Sequence, residues 1–442
     1  MAFTHILQAH PSDFFNIFRI IEVSMKEIVG IMRVAFCLLF VISAVSANET
    51  GFSLGIYGNA NMDQTIDESD IVHVEEIISG TRESTDLADA NYDGSVNELD
   101  LDQIKKIIAG TEENLTIVDS YKRVATINKP VRRIVSISIY NNEALRMFGE
   151  LDKVVAIEDS TKKKDVFFPQ GAEMPSIGGY PPNPEAIFKY QPDLLLGATS
   201  WTKELYDKLP GNTSVVGLDF TSKTPYSFSE ETTKLGYILN RRDEAEDYLD
   251  SFLYKYINAI KAKTEGLADA EKPSVYVESS FGNYKAYGGN GSGAQTYIEM
   301  AGGINIFQDS PLYFEADPEA VVTSNPDIII KQLRDDVGYP ANDFSIMNKA
   351  REEILNRPEL VDVKAVKEGR VYIIDEGLSY GFSYPIAVAY MAKWLNPELF
   401  EDLDPQAMHQ EFIDKYCPGL NFDVYRNGTF AYPPLSENST AD

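Results

Sequence analysis

The sequence predicts an α/β protein with two Rossmann-like lobes, joined by a long rigid helix and preceded by a small all-α module. Short runs rich in Val, Ile and Leu alternate with helical stretches, which is typical of parallel sheets with crossover helices. Between the two strand-bearing regions, residues 226–266 show helical spacing of apolar residues and no strand signal. Two different patterns each occur twice along the chain, which indicates duplicated structural units.

Residues 1–47 have the pattern of an export signal. Basic residues precede an apolar run over 34–45, and a small-residue cleavage site ends at Ala47. The run is too short to favour a membrane span. Met25 and Met32 are alternative starts of translation, and an uncleaved segment that tethers the protein to the membrane is the alternative to cleavage. The pattern predicts an exported protein, either extracellular or periplasmic, or held at the cell surface.

The overall charge is strongly acidic, with a formal net charge of −29 over 442 residues. An acidic surface argues against nucleic acid and anionic lipid as partners. The chain has only 4 histidines and 2 cysteines, and they are scattered along it. This distribution argues against a zinc site built from clustered imidazoles and thiolates.

Residues 48–115, which we call the two-loop module, contain two copies of a calcium-loop pattern. Each copy places oxygen-bearing side chains at alternate positions and an Asp at position 12, and then continues as a helix. The predicted metal ligands are Asn59, Asn61, Asp63, Thr65 and Asp70 in the first loop and Asp89, Asn91, Asp93, Ser95 and Asp100 in the second. The first loop has Gln64 where Gly94 permits a sharp bend in the second, so we expect the first site to be weaker. The alternative interpretation is an acidic turn before each helix.

The repeat resembles a type I dockerin over roughly residues 55–112. Both loops share with that family an Asp, rather than the Glu of EF-hands, as the last ligand. The resemblance implies a calcium-dependent module that docks onto a cohesin domain of another chain. The pairs Glu68-Ser69 and Glu98-Leu99 depart from the Ser/Thr pair common before the last ligand, so the resemblance does not identify the cohesin-bearing partner.

The remaining chain divides into an N-terminal lobe over 121–225, a helical spine over 226–266, and a C-terminal lobe with a tail over 270–442. A polar linker over 112–120 is expected to precede the first lobe. The predicted strands centre on residues 133–138, 154–157, 194–196, 215–218, 275–277, 328–330 and 371–374. Arg241 and Arg242 interrupt the spine pattern, and Asp243 is predicted to cap the second helical piece.

The two lobes share a sequence pattern. Pro184-Glu185-Ala186 precedes Pro192-Asp193 and a strand, and Pro318-Glu319-Ala320 precedes Pro326-Asp327 and another strand at the same spacing. In each copy Pro is suited to open a short helix and Glu falls in its first turn. The match indicates two equivalent lobes.

With these motifs in this order, the chain resembles the class III periplasmic binding proteins over about residues 121–416. Further marks of the resemblance are Arg133-Ile134-Val135-Ser136, Ile177-Gly178-Gly179 and Glu299-Met300-Ala301-Gly302-Gly303. The resemblance implies a binding protein without catalysis that delivers an iron siderophore, haem or a corrinoid to the permease of an ABC importer. It also implies that Glu185 and Glu319 contact the permease. A favourable charge in a helix first turn is the alternative role of these glutamates.

The ligand is expected at the carboxyl ends of the strands, where the two lobes face each other. The loops at these ends carry aromatic side chains and one guanidinium, and aromatic faces suit a macrocycle or a catecholate chelate. Arg334 is expected to pair with a carboxylate or phosphate of the ligand. Simple packing of the loops is the alternative role. The predicted ligand-binding residues are Tyr140, Tyr180, Trp201, Tyr284, Tyr287, Arg334, Tyr380 and Phe382.

Three alternative functions remain open from the sequence. Dockerins are often carried by secreted enzymes, but the body has no Ser–His or Cys–His constellation, and His409 stands alone. A chelatase-like enzyme of two-lobed architecture would favour histidines in the cleft. A scaffold or adhesion component of a surface complex would need only the two-loop module. Ligand binding without turnover would distinguish the substrate-binding protein from all three.

Overall fold

A computed structural model of the chain describes residues 51–197, 200–209, 211–221, 224–289 and 292–435, apart from the side chains of Ser200 and Trp201. The predicted export segment, residues 1–47, lies outside these ranges. We number the α-helices in chain order. They are α1 Glu68–Ile78, α2 Glu98–Ala109, α3 Ile139–Met147, α4 Asp159–Lys162, α5 Pro184–Phe188, α6 Ser200–Leu205, α7 Pro225–Leu239, α8 Arg242–Tyr248, α9 Lys255–Thr264, α10 Gly293–Met300, α11 Pro318–Ser324, α12 Ser345–Leu355, α13 Lys364–Lys367, α14 Tyr384–Leu395 and α15 Pro405–Tyr416.

The strands follow the same convention. They are β1 Asn114–Val118, β2 Val124–Asn128, β3 Ile134–Ser136, β4 Val154–Ile157, β5 Leu194–Gly197, β6 Ser214–Gly217, β7 Ser274–Glu278, β8 Lys285–Tyr287, β9 Ile304–Asn305, β10 Tyr313–Glu315, β11 Ile328–Leu333, β12 Val371–Asp375 and β13 Ala431–Tyr432. All seven strands expected from the sequence are present within one to three residues of their predicted bounds.

The N-terminal lobe contains a parallel sheet with the strand order β4-β3-β5-β6. Its strands are almost completely buried, as expected when helices cover both faces of a parallel sheet. The strand order reverses between β3 and β5, and ligands of doubly wound sheets bind at such a reversal.

The C-terminal lobe contains a larger mixed sheet with the order β10-β8-β7-β11-β12-β13, and β9 also pairs with β7. Its centre, β7-β11-β12, is parallel, whereas β8, β10 and β13 join in antiparallel orientation. This architecture confirms the predicted α/β fold with two lobes.

The spine is interrupted where the sequence predicts it, but the capping prediction is wrong. Helix α7 ends at Leu239, and its C-cap Asn240 adopts a left-handed conformation with φ of 56°. Arg241 is the N-cap of α8 and makes no side-chain capping bond, while Asp243 lies in the first turn. An acidic residue there still interacts favourably with the positive end of the helix. From α8 the chain continues through the π-helical segment Leu249–Tyr254 into α9.

The expected polar linker over residues 112–120 instead contains the strand β1. Strand β1 pairs with β2 in an antiparallel hairpin, and Leu115 and Ile117 are fully buried. The polar residues Asn114 and Thr116 alternate with these two along the strand, and Thr116 is buried as well, with its hydroxyl 2.9 Å from that of Thr126. The short length of the pattern concealed it in the sequence.

The two-loop module packs against the spine. The Tyr237 hydroxyl accepts a hydrogen bond of 2.8 Å from the Ile66 amide. At the C-terminus of α2, the main-chain oxygens of Ile108 and Gly110 accept bonds from the side chains of Arg242 and Asn240. These contacts satisfy carbonyls that a helix end leaves unpaired. The hydrophobic core therefore runs without a break from the module through the hairpin to α7.

Within the described residues, no helix combines the length and the apolar character that crossing a membrane requires.

Candidate functional site

A cavity of about 200 Å³ lies between the lobes at the carboxyl ends of the strands. The N-terminal lobe contributes the residues that follow β6, and the C-terminal lobe contributes β8, β11, the start of α10 and the loop after β12. The lining residues are Asp219, Thr221, Tyr287, Gly293, Ala294, Tyr297, Leu312, Tyr313, Gln332, Ser379 and Tyr380. The position agrees with the general placement of ligands in open α/β sheets.

Tyrosines form one wall of the cavity. The hydroxyl oxygens of Tyr287 and Tyr380 are 3.4 Å apart, and the rings of Tyr287 and Tyr313 are 5.0 Å apart between centroids. Tyr297 donates a hydrogen bond of 2.9 Å to the main-chain oxygen of Ser379. Burial, together with the neighbouring tyrosine, raises the pKa of Tyr287, so its hydroxyl stays protonated. The wall offers neutral hydroxyl groups and aromatic faces.

Tyr140 extends this aromatic wall from the opposite lobe. It lies at the start of α3, and its ring centroid is 6.1 Å from that of Tyr380. The approach is close because residue 381 is glycine. A Cβ on Gly381 would lie 2.6 Å from the Tyr140 ring, and the backbone there has a φ of +62°. The two lobes therefore touch next to Tyr380, beside the cavity.

Arg334 lies beside the cavity and is already paired. Its Nε and Nη2 donate to the two carboxylate oxygens of Glu376 at 2.7 and 3.1 Å, and its guanidinium stacks 4.6 Å above the Phe281 ring. Glu376 is buried and also accepts a bond of 2.7 Å from the Ser280 hydroxyl. The bonds to Glu376 raise the pKa of Arg334. The pair therefore carries no net charge at physiological pH.

Gln332 brings an unpaired acceptor to the cavity. Its side chain is 2% exposed, and its Nε2 donates 3.2 Å to the Ser379 hydroxyl. Its Oε1 is buried and has no hydrogen-bond partner within the described residues. A buried amide oxygen without a donor costs free energy, so this atom is suited to receive a donor from a ligand.

The predicted ligand-binding residues fall into three groups. Tyr287 and Tyr380 line the cavity, and Tyr140 and Arg334 lie beside it. Three others do not line it. The hydroxyl groups of Tyr180 and Tyr284 donate hydrogen bonds of 2.5 Å to the Ile137 main-chain oxygen and the Glu359 carboxylate, respectively. Phe382 is buried against Phe220 and Tyr248. Trp201 lies in α6, and its side chain is outside the described residues.

Glu185 and Glu319 occupy equivalent places on the two lobes. Each follows a proline that opens a short helix, and each main-chain amide donates 2.9 Å to the capping side chain, Asn183 or Asp317. Both glutamates are exposed, and neither carboxylate has a hydrogen bond or an ion pair within the described ranges. The duplicated sequence pattern thus gives duplicated geometry.

The two loops of the module share one hydrogen-bond scheme. The Asp at position 12, Asp70 or Asp100, is fully buried and accepts bonds of 2.8–3.0 Å from two main-chain amides of its loop. Burial raises the pKa of Asp70 to about 6 and also raises the pKa of Asp100. The loops differ at position 6, where Gly94 has a φ of +93° and Gln64 is not in the left-handed region.

The first loop contains an atom suited to a cation. Asn59 is fully buried, and its Nδ2 donates 2.8 Å to the oxygens of both Leu54 and Asp63. Its Oδ1 is buried without a hydrogen-bond partner in the described part of the chain. No group of three or more His, Cys, Asp and Glu in that part could hold a metal. A hard cation here would therefore take amide, hydroxyl and main-chain oxygens as well as carboxylates, which is the ligand set of calcium.

His409 packs in the core of the C-terminal lobe. It is fully buried, its Nε2 is 2.7 Å from the Tyr339 hydroxyl, and its ring centroid is 4.4 Å from that of Phe430. Burial lowers the pKa of His409 to about 3, so the ring is neutral. This environment is that of a packing residue.

Comparison with known proteins decides the family. A model described as a periplasmic binding protein matches residues 134–378. The chain belongs to the periplasmic binding protein family. It is a substrate-binding protein of an ABC transporter, and its relatives bind solutes without converting them. A second model, described as a dockerin type I domain, matches residues 57–109 of this binding protein, and domains of that type generally bind calcium.

Two further comparisons agree. An uncharacterized ABC transporter substrate-binding lipoprotein of Bacillus subtilis is 24% identical over 262 residues, which cover 59% of this chain and 78% of the relative. The crystal structure of the TroA-like periplasmic binding protein FepB from Veillonella parvula matches with a TM-score of 0.61 at 20% identity. It covers 72% of this chain and 98% of that one.

A more distant structural neighbour has a small cargo. The molybdate-bound periplasmic binding protein MolA of Haemophilus influenzae matches with a TM-score of 0.55 at 16% identity, covering 68% of this chain and 97% of that one. These structures support the two-lobed fold of the binding protein, and the family membership supports an exported protein.

Sequence reasoning missed several residues of the cavity, chiefly Asp219, Tyr297, Tyr313 and Gln332. Asp219 follows β6, so the rule that selected the other loops could have found it. Gln332 and Lys331 are two polar residues within the otherwise apolar strand Ile328–Leu333, and that contrast was a usable signal. Tyr297 and Tyr313 come from a helix and an added antiparallel strand, which the rule does not cover.

Proposed function

We propose that this binding protein captures a metal chelate, an iron siderophore, haem or a corrinoid, between its lobes and delivers it to the permease of an ABC importer. The observation that carries the proposal is the tyrosine-lined cavity to which both lobes contribute. A volume of about 200 Å³ holds only part of such a ligand, since sites for drug-sized ligands have roughly 300–1,000 Å³. The remainder would lie between the lobes, which open modestly about the spine to admit it.

Isothermal titration calorimetry on the purified chain tests this function. The probes are cyanocobalamin, hemin, ferrioxamine B and a ferric tris-catecholate chelate, each at several concentrations. We expect saturable one-to-one binding of at least one probe with a Kd of roughly 1 μM or below. The corresponding metal-free ligands and free iron serve as controls. Absence of heat and of any stabilisation by all four probes would contradict capture of a chelate.

We further propose that Glu185 and Glu319 dock on the permease. Both carboxylates are exposed on equivalent helices of opposite lobes, and carboxylates of this kind pair well with arginines of a partner. A pair of contacts, one on each lobe, would also make docking sensitive to the separation of the lobes.

A double variant, Glu185→Ala with Glu319→Ala, tests the docking role. The ATPase activity of the reconstituted importer, stimulated by the loaded binding protein, should fall by about tenfold or more, while ligand affinity stays unchanged. The matched control is Glu173→Ala with Glu353→Ala, which also removes one exposed glutamate from each lobe. Equal stimulation by both double variants would show that the predicted glutamates do not dock.

A second candidate function belongs to the two-loop module, and the orphaned oxygen of Asn59 favours it. We propose that the module binds two calcium ions, the first more weakly, and thereby docks on a cohesin-bearing protein. Calcium calorimetry should resolve two sites, and Asp100→Ala should remove the stronger one. Binding of a cohesin panel should require calcium and be lost in EDTA. Calcium binding without any cohesin partner would leave the module as a structural part of this chain.

A further inference from the structure

Hydrogen-bond acceptors line the polar part of the cavity. Gln332 Oε1 is buried there without a donor among the described residues, because Gln332 Nε2 is already used by Ser379. Asp219 adds a carboxylate to the wall from the opposite lobe. Its Oδ1 accepts 2.9 Å from the Thr221 amide and also accepts from the Thr221 hydroxyl, which fixes its orientation. Two acceptors from two lobes thus frame one space.

The positive charge of Arg334 does not neutralise the Asp219 carboxylate or supply a donor to Gln332, because Arg334 is already paired. Arg334 is bonded through two nitrogens to Glu376, which is itself buried and held by Ser280. Moving Arg334 to a ligand carboxylate would leave the buried Glu376 charge without its partner, and that is costly. The Arg334–Glu376 pair is neutral, so among the described side chains that line or adjoin the cavity, Asp219 leaves a net negative charge.

The tyrosines add no net charge. Tyr287 and Tyr380 are protonated hydroxyls that donate or accept as the ligand requires. The aromatic faces are compatible with either sign of ligand charge, although they favour cations slightly. Among the described residues that line the cavity, Asp219 is the one with a charged side chain, and Gln332 Oε1 is an acceptor without a donor.

We propose that the part of the ligand inside this cavity presents N–H or O–H donors, such as carboxamide or ammonium groups, and no carboxylate. Resting on the proposed capture of a metal chelate, this inference assigns the cargo to neutral or cationic chelates and not to polyanionic ones. A ligand carboxylate here would face the Asp219 carboxylate and leave Gln332 Oε1 unsatisfied. A carboxamide or ammonium would satisfy both acceptors.

The charge series tests the inference directly. Ferrioxamine B is a cation with a free ammonium, cyanocobalamin is neutral with carboxamide side chains, and the ferric tris-catecholate, hemin and molybdate are anionic. We expect the cationic or the neutral probe to bind at least about tenfold more tightly than every anionic probe. Tightest binding of any anionic probe would overturn the inference and leave the function of capture standing. Failure of all probes to bind would remove the proposed function, and the inference with it.

Variants locate the effect in the cavity. Asp219→Asn should lower the affinity for the preferred probe by about tenfold. Gln332→Leu keeps the side-chain volume but removes the acceptor, and it should lower the affinity by a similar factor. Glu353→Gln, an exposed change in α12 that also removes one negative charge, should leave the affinity unchanged. Equal affinity in wild type, Asp219→Asn and Gln332→Leu would overturn the assignment.

Asp219→Asn also tests the sign of the effect, because it removes a charge without removing volume. The ratio of affinities for cationic over anionic probes should fall by about tenfold in this variant. Thermal unfolding of each variant establishes that it is folded at the titration temperature. If Gln332→Leu does not fold, the affinity ratio of Asp219→Asn alone decides, and an unchanged ratio would contradict the inference.

Discussion

The two lobes resemble each other at their outer ends and differ where they bury charge. The helices α5 and α11 begin in the same way, with a capping side chain, a proline and an exposed glutamate. In the C-terminal lobe, Glu278 is fully buried and bonded to both Arg357 and Lys331. In the N-terminal lobe, Glu143 is buried beside the C-terminal lobe, and among the described residues it accepts a single bond, of 3.4 Å from the Phe382 amide.

The outward helices of the two lobes are thus alike, whereas these two buried glutamates have different surroundings. Burial alone would raise the pKa of both glutamates. For Glu278, the bonds to Arg357 and the charge of Lys331 reverse this effect and lower the pKa. For Glu143, burial prevails over the charge of Arg146, and the pKa rises to about 7. The C-terminal lobe therefore contains a permanent buried anion, and the interface between the lobes contains a titrating one.

The largest expected effect follows from removing the buried anion of the C-terminal lobe. Glu278→Gln keeps the volume but leaves the Arg357 and Lys331 charges buried and uncompensated. We expect the free energy of unfolding to fall by about 3–5 kcal/mol at pH 7. Urea unfolding followed by circular dichroism measures it.

The sign of the pH dependence gives a second readout for Glu278. Because its folded pKa is lowered, its stabilisation is present above the unfolded pKa of about 4.5 and is lost as the pH falls through the folded value. The difference between wild type and Glu278→Gln should shrink at low pH. A difference that is constant from pH 7 to pH 3 would show that the bonds, and not the charge, stabilise this lobe.

A smaller effect of opposite sign is expected for Glu143. Its folded pKa is raised from 4.5 to about 7, so its contribution is complete below pH 4.5 and is lost as the pH rises through about 7. Glu143→Gln should therefore be more stable than wild type at pH 8, by roughly 2–3 kcal/mol, and about equal to it at pH 4. Parallel stability profiles for the two proteins would contradict a raised pKa.

The smallest expected losses of stability come from the caps of the short helices α5 and α11, which the two lobes share. Asn183→Ala and Asp317→Ala each remove the side chain that accepts from the glutamate amide in a short helix. Each should lower the free energy of unfolding by about 1 kcal/mol, and the two losses should be additive because the sites belong to different lobes. Hydrogen exchange of the Glu185 and Glu319 amides should rise locally in each variant. A much larger loss in one lobe would show that the helices are not equivalent.

Much of the fold could be predicted from local patterns. The strands with runs such as Leu194–Leu196 and Ile328–Ile330 are apolar throughout because both faces of a parallel sheet are covered, and that property is visible in the sequence. The break in the spine was equally visible. The hairpin after the module was missed because Leu115, Ile117 and Val118 form only a short apolar set next to polar residues. Their burial depends on the core that the module and α7 supply.

The sequence by itself determined the two lobes, the two loops and the outward glutamates Glu185 and Glu319, because each depends on residue spacing within one segment. Only the tertiary structure decided which side chains face the cavity. Tyr284 and Phe382 follow the correct strands, but Glu359 binds the first and the core encloses the second. Likewise, pairing with Glu376 leaves Arg334 without a free charge, and that partner is remote in sequence. Such pairings depend on distances across the sheet, which the order of residues along the chain does not specify.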